Sequence, residues 1–312
     1  MMDITDVIID NGSGLCKSGL VADSLPTSVI PSIVGIFKVK GNTHEASHTE
    51  NYFGKKALAK RGSGSLKYPI ERGIVTSWEL LEKLWKHVYT SELHIKSKER
   101  PVLMTTAPLT SFINREKMAE IMFECFNVPA MYVAIPATLA LYASGRTRGI
   151  VLDSGFGLTD AVPIYEGYYL PDAVKRLKLA GNDITENLRR LLLESGHIFT
   201  TSNVRCEEPG IHKLIYDSIL KCDRSLRKDL FSNILLSGGS TLFLGLEERL
   251  LKEIKFQVPS GLPVKVIAPP NRNNSVWMGA SILTSLTAFK DMWVTSNDYR
   301  EYGPAIINKR CF

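Results

Sequence analysis

The chain has few cysteines and never uses them in pairs. Cys16, Cys125, Cys206, Cys222 and Cys311 are odd in number, scattered, and nowhere arranged as C-x-x-C. That pattern excludes a zinc ribbon or a disulfide framework and predicts free thiols. Long apolar runs are also missing. The longest stretch, Val128 to Ala143, is too short to span a bilayer and is interrupted by Pro129 and Pro136. The opening Met1-Met2-Asp3-Ile4-Thr5-Asp6 has no basic segment followed by an apolar one, so no secretory leader is read. Nor is there a basic block interleaved with aromatics. The formal charge of +6 rests on dispersed residues such as Lys38, Lys55, Arg146, Arg189 and Lys221. It predicts a solvated surface rather than a nucleic-acid footprint.

What is present is a repeat. Val7-Ile8-Ile9-Asp10-Asn11-Gly12-Ser13-Gly14 and Gly149-Ile150-Val151-Leu152-Asp153-Ser154-Gly155-Phe156-Gly157 each read as a β-branched strand closed by an acid and a glycine turn. A third turn, Ser237-Gly238-Gly239-Ser240, follows the apolar Ile234-Leu235-Leu236. Backbone N–H groups at such turns cradle anions, and the aspartates offer hard oxygen to the water shell of a magnesium ion. At 312 residues the chain is long enough for two lobes. Further strands are predicted at Val102–Thr105, Met131–Ile135 and Val264–Ile267. Helical spacing appears at 78–92, 112–126, 136–144, 182–195, 212–227, 243–256 and 274–289. Asn114 and Asn182 are read as the starts of the second and fourth helices. The alternation indicates an α/β architecture with its ligand at the strand ends.

Residues 36–51 are polar and aperiodic and read as a loop. Within them lies His44-Glu45-x-x-His48, the expression of a zinc protease, which requires a helix carrying both imidazoles on one face. No apolar helical stripe flanks it, and a chance match in a solvated loop is the preferred reading.

Longer strings resemble the actin family of actins and actin-related proteins. They include Ile8–Gly19, Lys67-Tyr68-Pro69-Ile70-Glu71-Arg72-Gly73-Ile74, Asn127–Ile135, Tyr142–Arg146, Val162–Gly167, Ile267–Pro270 and Lys309-Arg310-Cys311-Phe312. The Tyr-Pro-Ile-Glu-Arg-Gly string and Trp85-Lys86-His87 resemble the divergent, testis-associated members. The resemblance implies a two-lobed, ribonuclease H-like duplicated α/β fold with ATP or ADP and magnesium in a cleft. The large lobe would hold 1–143 plus 275–312, with 32–68 its outer extension. The second would hold 144–274, with 180–209 a truncated outer part. Asp10 and Asp153 would sit by the magnesium, through water. Ser13, Gly14, Leu15 and Lys17 would hold phosphate on one side, and backbone amides of Gly155, Phe156, Gly157 and Leu158 on the other. Gly238, Gly239 and Ser240 would lie near the sugar and adenine.

Departures from the family pattern change the expected chemistry. Pro136 replaces the glutamine that positions water for hydrolysis, and Asp160 replaces the accompanying histidine. Proline suits a first helical turn but cannot orient water, and a carboxylate at 160 is expected to repel polyphosphate. Phe156 stands where the family has an acid. Between Ser202 and Pro209 the family carries several tens more residues, and Asn273 replaces a basic residue. The outer loop, His44 to Glu50, has no apolar anchor, and the acidic start is reduced to Asp3 and Asp6. The resulting expectation is a cytoplasmic, cytoskeletal structural or adaptor protein, with a nuclear pool allowed. It would bind cytoskeletal or actin-binding proteins, grip nucleotide weakly, lack efficient hydrolysis and be disfavoured for ordinary filaments. A polymerising ATPase is the second reading and a sugar kinase of the same superfold the third.

Overall fold

The computed structural model describes residues 5–21, 23, 25–39, 48–194 and 210–311. The chain divides into two compact units, Met1–Ala134 with Leu283–Phe312, and Ile135–Ile282.

The first unit is built on a six-stranded sheet. Its order is Val294–Thr295, Ala130–Ala134, Val102–Thr105, Val7–Asn11, Leu15–Leu20, Ser28–Pro31. Val7–Asn11 runs parallel to Val102–Thr105 and antiparallel to Leu15–Leu20. Val7, Ile8 and Ile9 are fully buried, as an uninterrupted β-branched run requires when both faces of a sheet are covered. Helix Trp78–His87 starts where the Ser77 side chain accepts the Leu80 N–H, and it buries Leu81, Leu84 and Trp85. Its periodicity continues to residue 92 because Val88–Glu92 adds a wider π-turn. The helix expected from Asn114 instead begins at Phe112, because the Ser111 hydroxyl accepts the Asn114 N–H at 3.3 Å. Serine at that position satisfies one of the orphan donors of the first turn.

The loop expected at 36–51 is corrected at its two ends, while 40–47 lie outside the described residues. Val34–Val39 and His48–Phe53 are antiparallel strands of a three-stranded sheet with Ser65–Lys67. Phe37 and Tyr52 meet edge to face at 5.3 Å, and the Lys60 ammonium lies 3.6 Å from the centre of the Tyr52 ring. These aromatic contacts across the pair replace the missing apolar alternation. His48 therefore belongs to a strand, not a helix; the rest of the zinc-protease expression, 44–47, lies outside the described residues.

The second unit repeats the first. Gly149–Ser154 pairs antiparallel with Thr159–Tyr165 and parallel with Ile234–Ser237, beyond which lies Val266–Ile267. Tyr168–Tyr169 and Lys175–Leu177 both pair with Thr159–Tyr165. In both units the strand that ends in an acid has a hairpin on one side and parallel strands on the other. One face of this sheet is covered by Leu214, Ile215, Ile219, Leu230, Leu250 and Ile254. The expected helix 212–227 is two helices, Ile211–Lys221 and Arg224–Ser232. Arg227 closes the break by donating to the carbonyls of Leu220 and Cys222.

The units divide earlier than the expected 143/144 boundary, and later than 274/275. Helix Pro136–Ala143 packs through Ala137, Ala140 and Leu141 onto Val151, Val162 and Leu235. Gly279 of helix Ser275–Ser285 lies so close to Leu139 that an added Cβ would fall 1.8 Å from its carbonyl oxygen. Both helices are thereby tied to the second sheet. Among the described residues, no helix is long and apolar enough to cross a membrane. Cys16, Cys125, Cys222 and Cys311 are free; Cys206 lies outside the described residues.

Candidate functional site: two glycine turns

The first turn hangs between Asn11 and Cys16, the last residues paired across the hairpin. Asp10 and Lys17 face each other in that register, and the Lys17 ammonium lies 3.6 Å from Asp10 Oδ2. Thr105 on the neighbouring parallel strand donates to Asp10 Oδ1 at 2.8 Å and accepts the Asn11 N–H at 2.9 Å. Asn11 is held again by its Nδ2 on the Thr105 carbonyl and by Trp85 Nε1 on its own Oδ1. The carboxylate is thus buried and fixed by residues far away in sequence.

The carbonyls of the turn are also committed. Ser32 Oγ donates to Gly12 O at 2.6 Å, and Ser32 N–H to Gly14 O. Holding those oxygens on protein donors suits an anion cradle, since a carbonyl facing an anion repels it. Gly12 is required sterically, because a Cβ there would lie 2.5 Å from Leu15 O. Ser13 Oγ accepts the Gly73 N–H at 3.1 Å, and the Leu15 side chain is exposed. Cys16, beside the turn, is a neutral filler: burial, with help from the Asp10 charge, pushes its thiol up to about 12.

The second turn has the same frame and different contents. Asp153 faces Asp160 in the register of the hairpin. Residues paired this way share a face and lie side by side, so Asp160 occupies the place that Lys17 takes in the first copy. Its compensation comes from a third strand. Arg176, paired with Asp160 across the sheet, donates Nε to Oδ1 at 2.7 Å and Nη2 to Oδ2 at 3.0 Å. Burial pushes the Asp160 carboxyl above its ordinary value, and the guanidinium opposes that rise. The expectation that Asp160 acts as a bare repelling charge is therefore corrected. Both of its oxygens are held by a bidentate arginine, the strong form of such a pair.

Asp153, Gly155, Phe156, Gly157, Leu158, Gly238, Gly239 and Ser240 are brought together in one stitched cluster. Gly238 adopts φ +87°, and a Cβ on it would lie 2.2 Å from Ser154 O and 2.9 Å from Asp153 Oδ1. Ser240 Oγ donates to Gly155 O at 2.7 Å, and Gly181 N–H donates to the same carbonyl. Asn182 N–H donates to Phe156 O, while the Phe156 side chain is exposed. The amide of Gly155 was expected to face phosphate; it instead closes the turn on Leu158 O at 3.0 Å. Arg272 fixes the other edge, with Nε on Thr241 Oγ1, Nη2 on Thr241 O, and its carbonyl accepting the Gly238 N–H.

Pro136 is the first residue of helix Pro136–Ala143, where its missing N–H costs nothing, and the Leu139 N–H reaches back to Ile135 O. The sequence pointed to neither Thr105, Trp85 and Ser32 nor Arg176 and Arg272. Each acts across a long sequence separation, and only Arg176, beyond the hairpin that carries Asp160, left a trace in local order. Among the described residues no group of three or more His, Cys, Asp or Glu side chains is placed to hold a metal directly. Asp10 in the first unit and Asp153 in the second each offer a carboxylate of the kind that meets magnesium through its water shell. Gly12 and Gly238 are fixed by this chain's own backbone, which lies 2.5 and 2.2 Å from where a Cβ would stand.

A duplicated α/β unit, each copy ending its central strand in an acid and a glycine turn, defines the ribonuclease H-like class of two-lobed folds. The family model described as Actin matches residues 1–208 and 195–312. The chain belongs to the actin family. The two matched segments overlap at 195–208.

Proposed function

We propose that the chain is a non-catalytic actin-related protein that serves a cytoskeletal complex as a structural or adaptor component. The observation that carries this reading is the pair of substitutions at Pro136 and Asp160. Proline has no side-chain amide to orient a water. Asp160 is engaged by Arg176 through both oxygens, so neither position offers a base to an attacking water. Losing one positioned proton-transfer group costs about 10²–10⁴ in rate. The first turn favours a retained grip on nucleotide. Asp10, Ser13, Gly14, Leu15 and Lys17 would hold phosphate and water-bound magnesium there. Magnesium, when bound, neutralises phosphate charge; the residues of this chain bind and orient, without activating water. Family membership supports cytoskeletal partners and a cytoplasmic location, with a nuclear pool. The testis-type strings at 67–74 and 85–87 support a divergent branch.

A polymerising ATPase is the alternative, favoured by the intact Asp10–Lys17 pair at 3.6 Å. Thermal melting with and without magnesium-ATP, alongside a phosphate-release assay, separates the two. Stabilisation without turnover supports the adaptor reading. Turnover with salt-induced pelleting supports the alternative.

A further inference from the structure

The first unit has a second concave feature to which its glycine turn contributes nothing. A pocket of about 350 Å³ opens beside Ser28–Pro31, the edge strand of the six-stranded sheet. That volume is at the small end for ligand sites and suits one or two side chains better than a cofactor. Its apolar wall is Ile30, which is buried, and the half-buried Phe53, whose ring stacks on His87 at 4.7 Å. Its rim is basic. Gly54, in the left-handed region at φ +56° and packed on Ile30, turns the chain so that Lys55 and Lys56 line the opening. Both lysines are exposed, and among the described residues neither forms an ion pair.

One acid lines the pocket, and it is already satisfied. Glu92 Oε2 accepts the Ser28 hydroxyl at 2.6 Å, and Oε1 lies 3.2 Å from His87 Nε2. The π-turn Val88–Glu92 makes this possible, since it brings residue 92 back over residue 87. Glu92 thus ties the edge strand to the helix end with both oxygens and forms no ion pair with either lysine. Two unpaired ammonium groups over an apolar wall are complementary to a carboxylate followed by an apolar side chain. An extended peptide also finds main-chain groups along an edge strand, which a small polycarboxylate cannot use.

We propose that this pocket receives an acidic segment of a protein partner, its carboxylate meeting Lys55 and Lys56 and its neighbouring apolar side chain resting on Phe53. The test uses the full chain and a fluorescein-tagged peptide of four glutamates around one leucine, followed by fluorescence polarisation at low and physiological salt. Saturable binding that weakens with salt is expected. The double variant K55E/K56E should weaken it at least tenfold. K252E/K255E, an equal charge reversal on the exposed face of helix Leu246–Gln257 in the other unit, should leave it unchanged. Melting curves establish that each variant is folded. Absence of saturable binding, or equal weakening by both double variants, would overturn the proposal. Displacement by citrate as effective as by untagged peptide at matched ionic strength would overturn the assignment to a peptide.

Discussion

The two hairpins share a backbone plan and differ in where their charge is balanced. In the first, Asp10 finds its cation on the adjacent strand and at the same register, as Lys17. In the second, the same register holds a second acid, and balance comes from Arg176 one strand further out. The first arrangement leaves an ammonium beside the glycine turn. The second spends its cation inside the sheet. Duplication preserved geometry and let the chemistry of the copies diverge.

The largest effect should come from breaking the second balance. Arg176→Leu leaves Asp160 buried beside Asp153 and should destabilise the chain by about 3 kcal/mol, since removing one partner of a buried pair strands the other. The matching change in the first copy, Lys17→Met, should cost about 1 kcal/mol, because Thr105 still donates to Asp10. It should instead abolish the melting shift produced by magnesium-ATP. Urea denaturation of both variants decides; equal costs would mean the two balances are equivalent.

The glycine turns sharpen the same contrast. Gly238→Ala meets backbone at 2.2 Å in a conformation that L residues rarely adopt and should cost about 2–3 kcal/mol. Gly239→Ala, with nothing within 4 Å, should stay within about 0.5 kcal/mol. A somewhat smaller loss, of about 1–2 kcal/mol, is expected for Thr105→Val, which removes the donor to Asp10 and the acceptor for Asn11. Comparing their urea midpoints orders the three.

The smallest effect is in pH. The folded Asp160 carboxyl titrates above its unfolded value of 3.8, so between those values the folded state holds the proton more firmly. Its contribution to stability is complete below 3.8 and declines as pH rises through the folded value. Asp160→Asn should remove that decline, so the wild-type-minus-variant difference in urea midpoint should fall as pH rises above about 4. A difference constant with pH would mean that Arg176 fully offsets burial.

The duplication, the three turns and the acids that lead the first two were legible because they are local strings. The two hairpins were half legible: Leu15–Leu20 carries Lys17, Ser18 and Gly19 and hides its strand character, although pairing on both sides buries it. The break at Cys222–Asp223 was invisible because no glycine or proline marks it and the apolar spacing runs on through Leu226. Strands Val34–Val39 and His48–Phe53 were missed because their support is aromatic and cation–π rather than periodic. Arg176 and Arg272 could not be assigned because their roles depend on strand order. Asp160 shows the cost: its charge was legible, its neutralisation was not.

Release of inorganic phosphate from saturating magnesium-ATP by the purified chain tests the central claim most directly. Phosphate at the level of buffer alone, from a sample whose melting point the same nucleotide raises, is the predicted result. Sustained release that disappears in Asp153→Asn would contradict it.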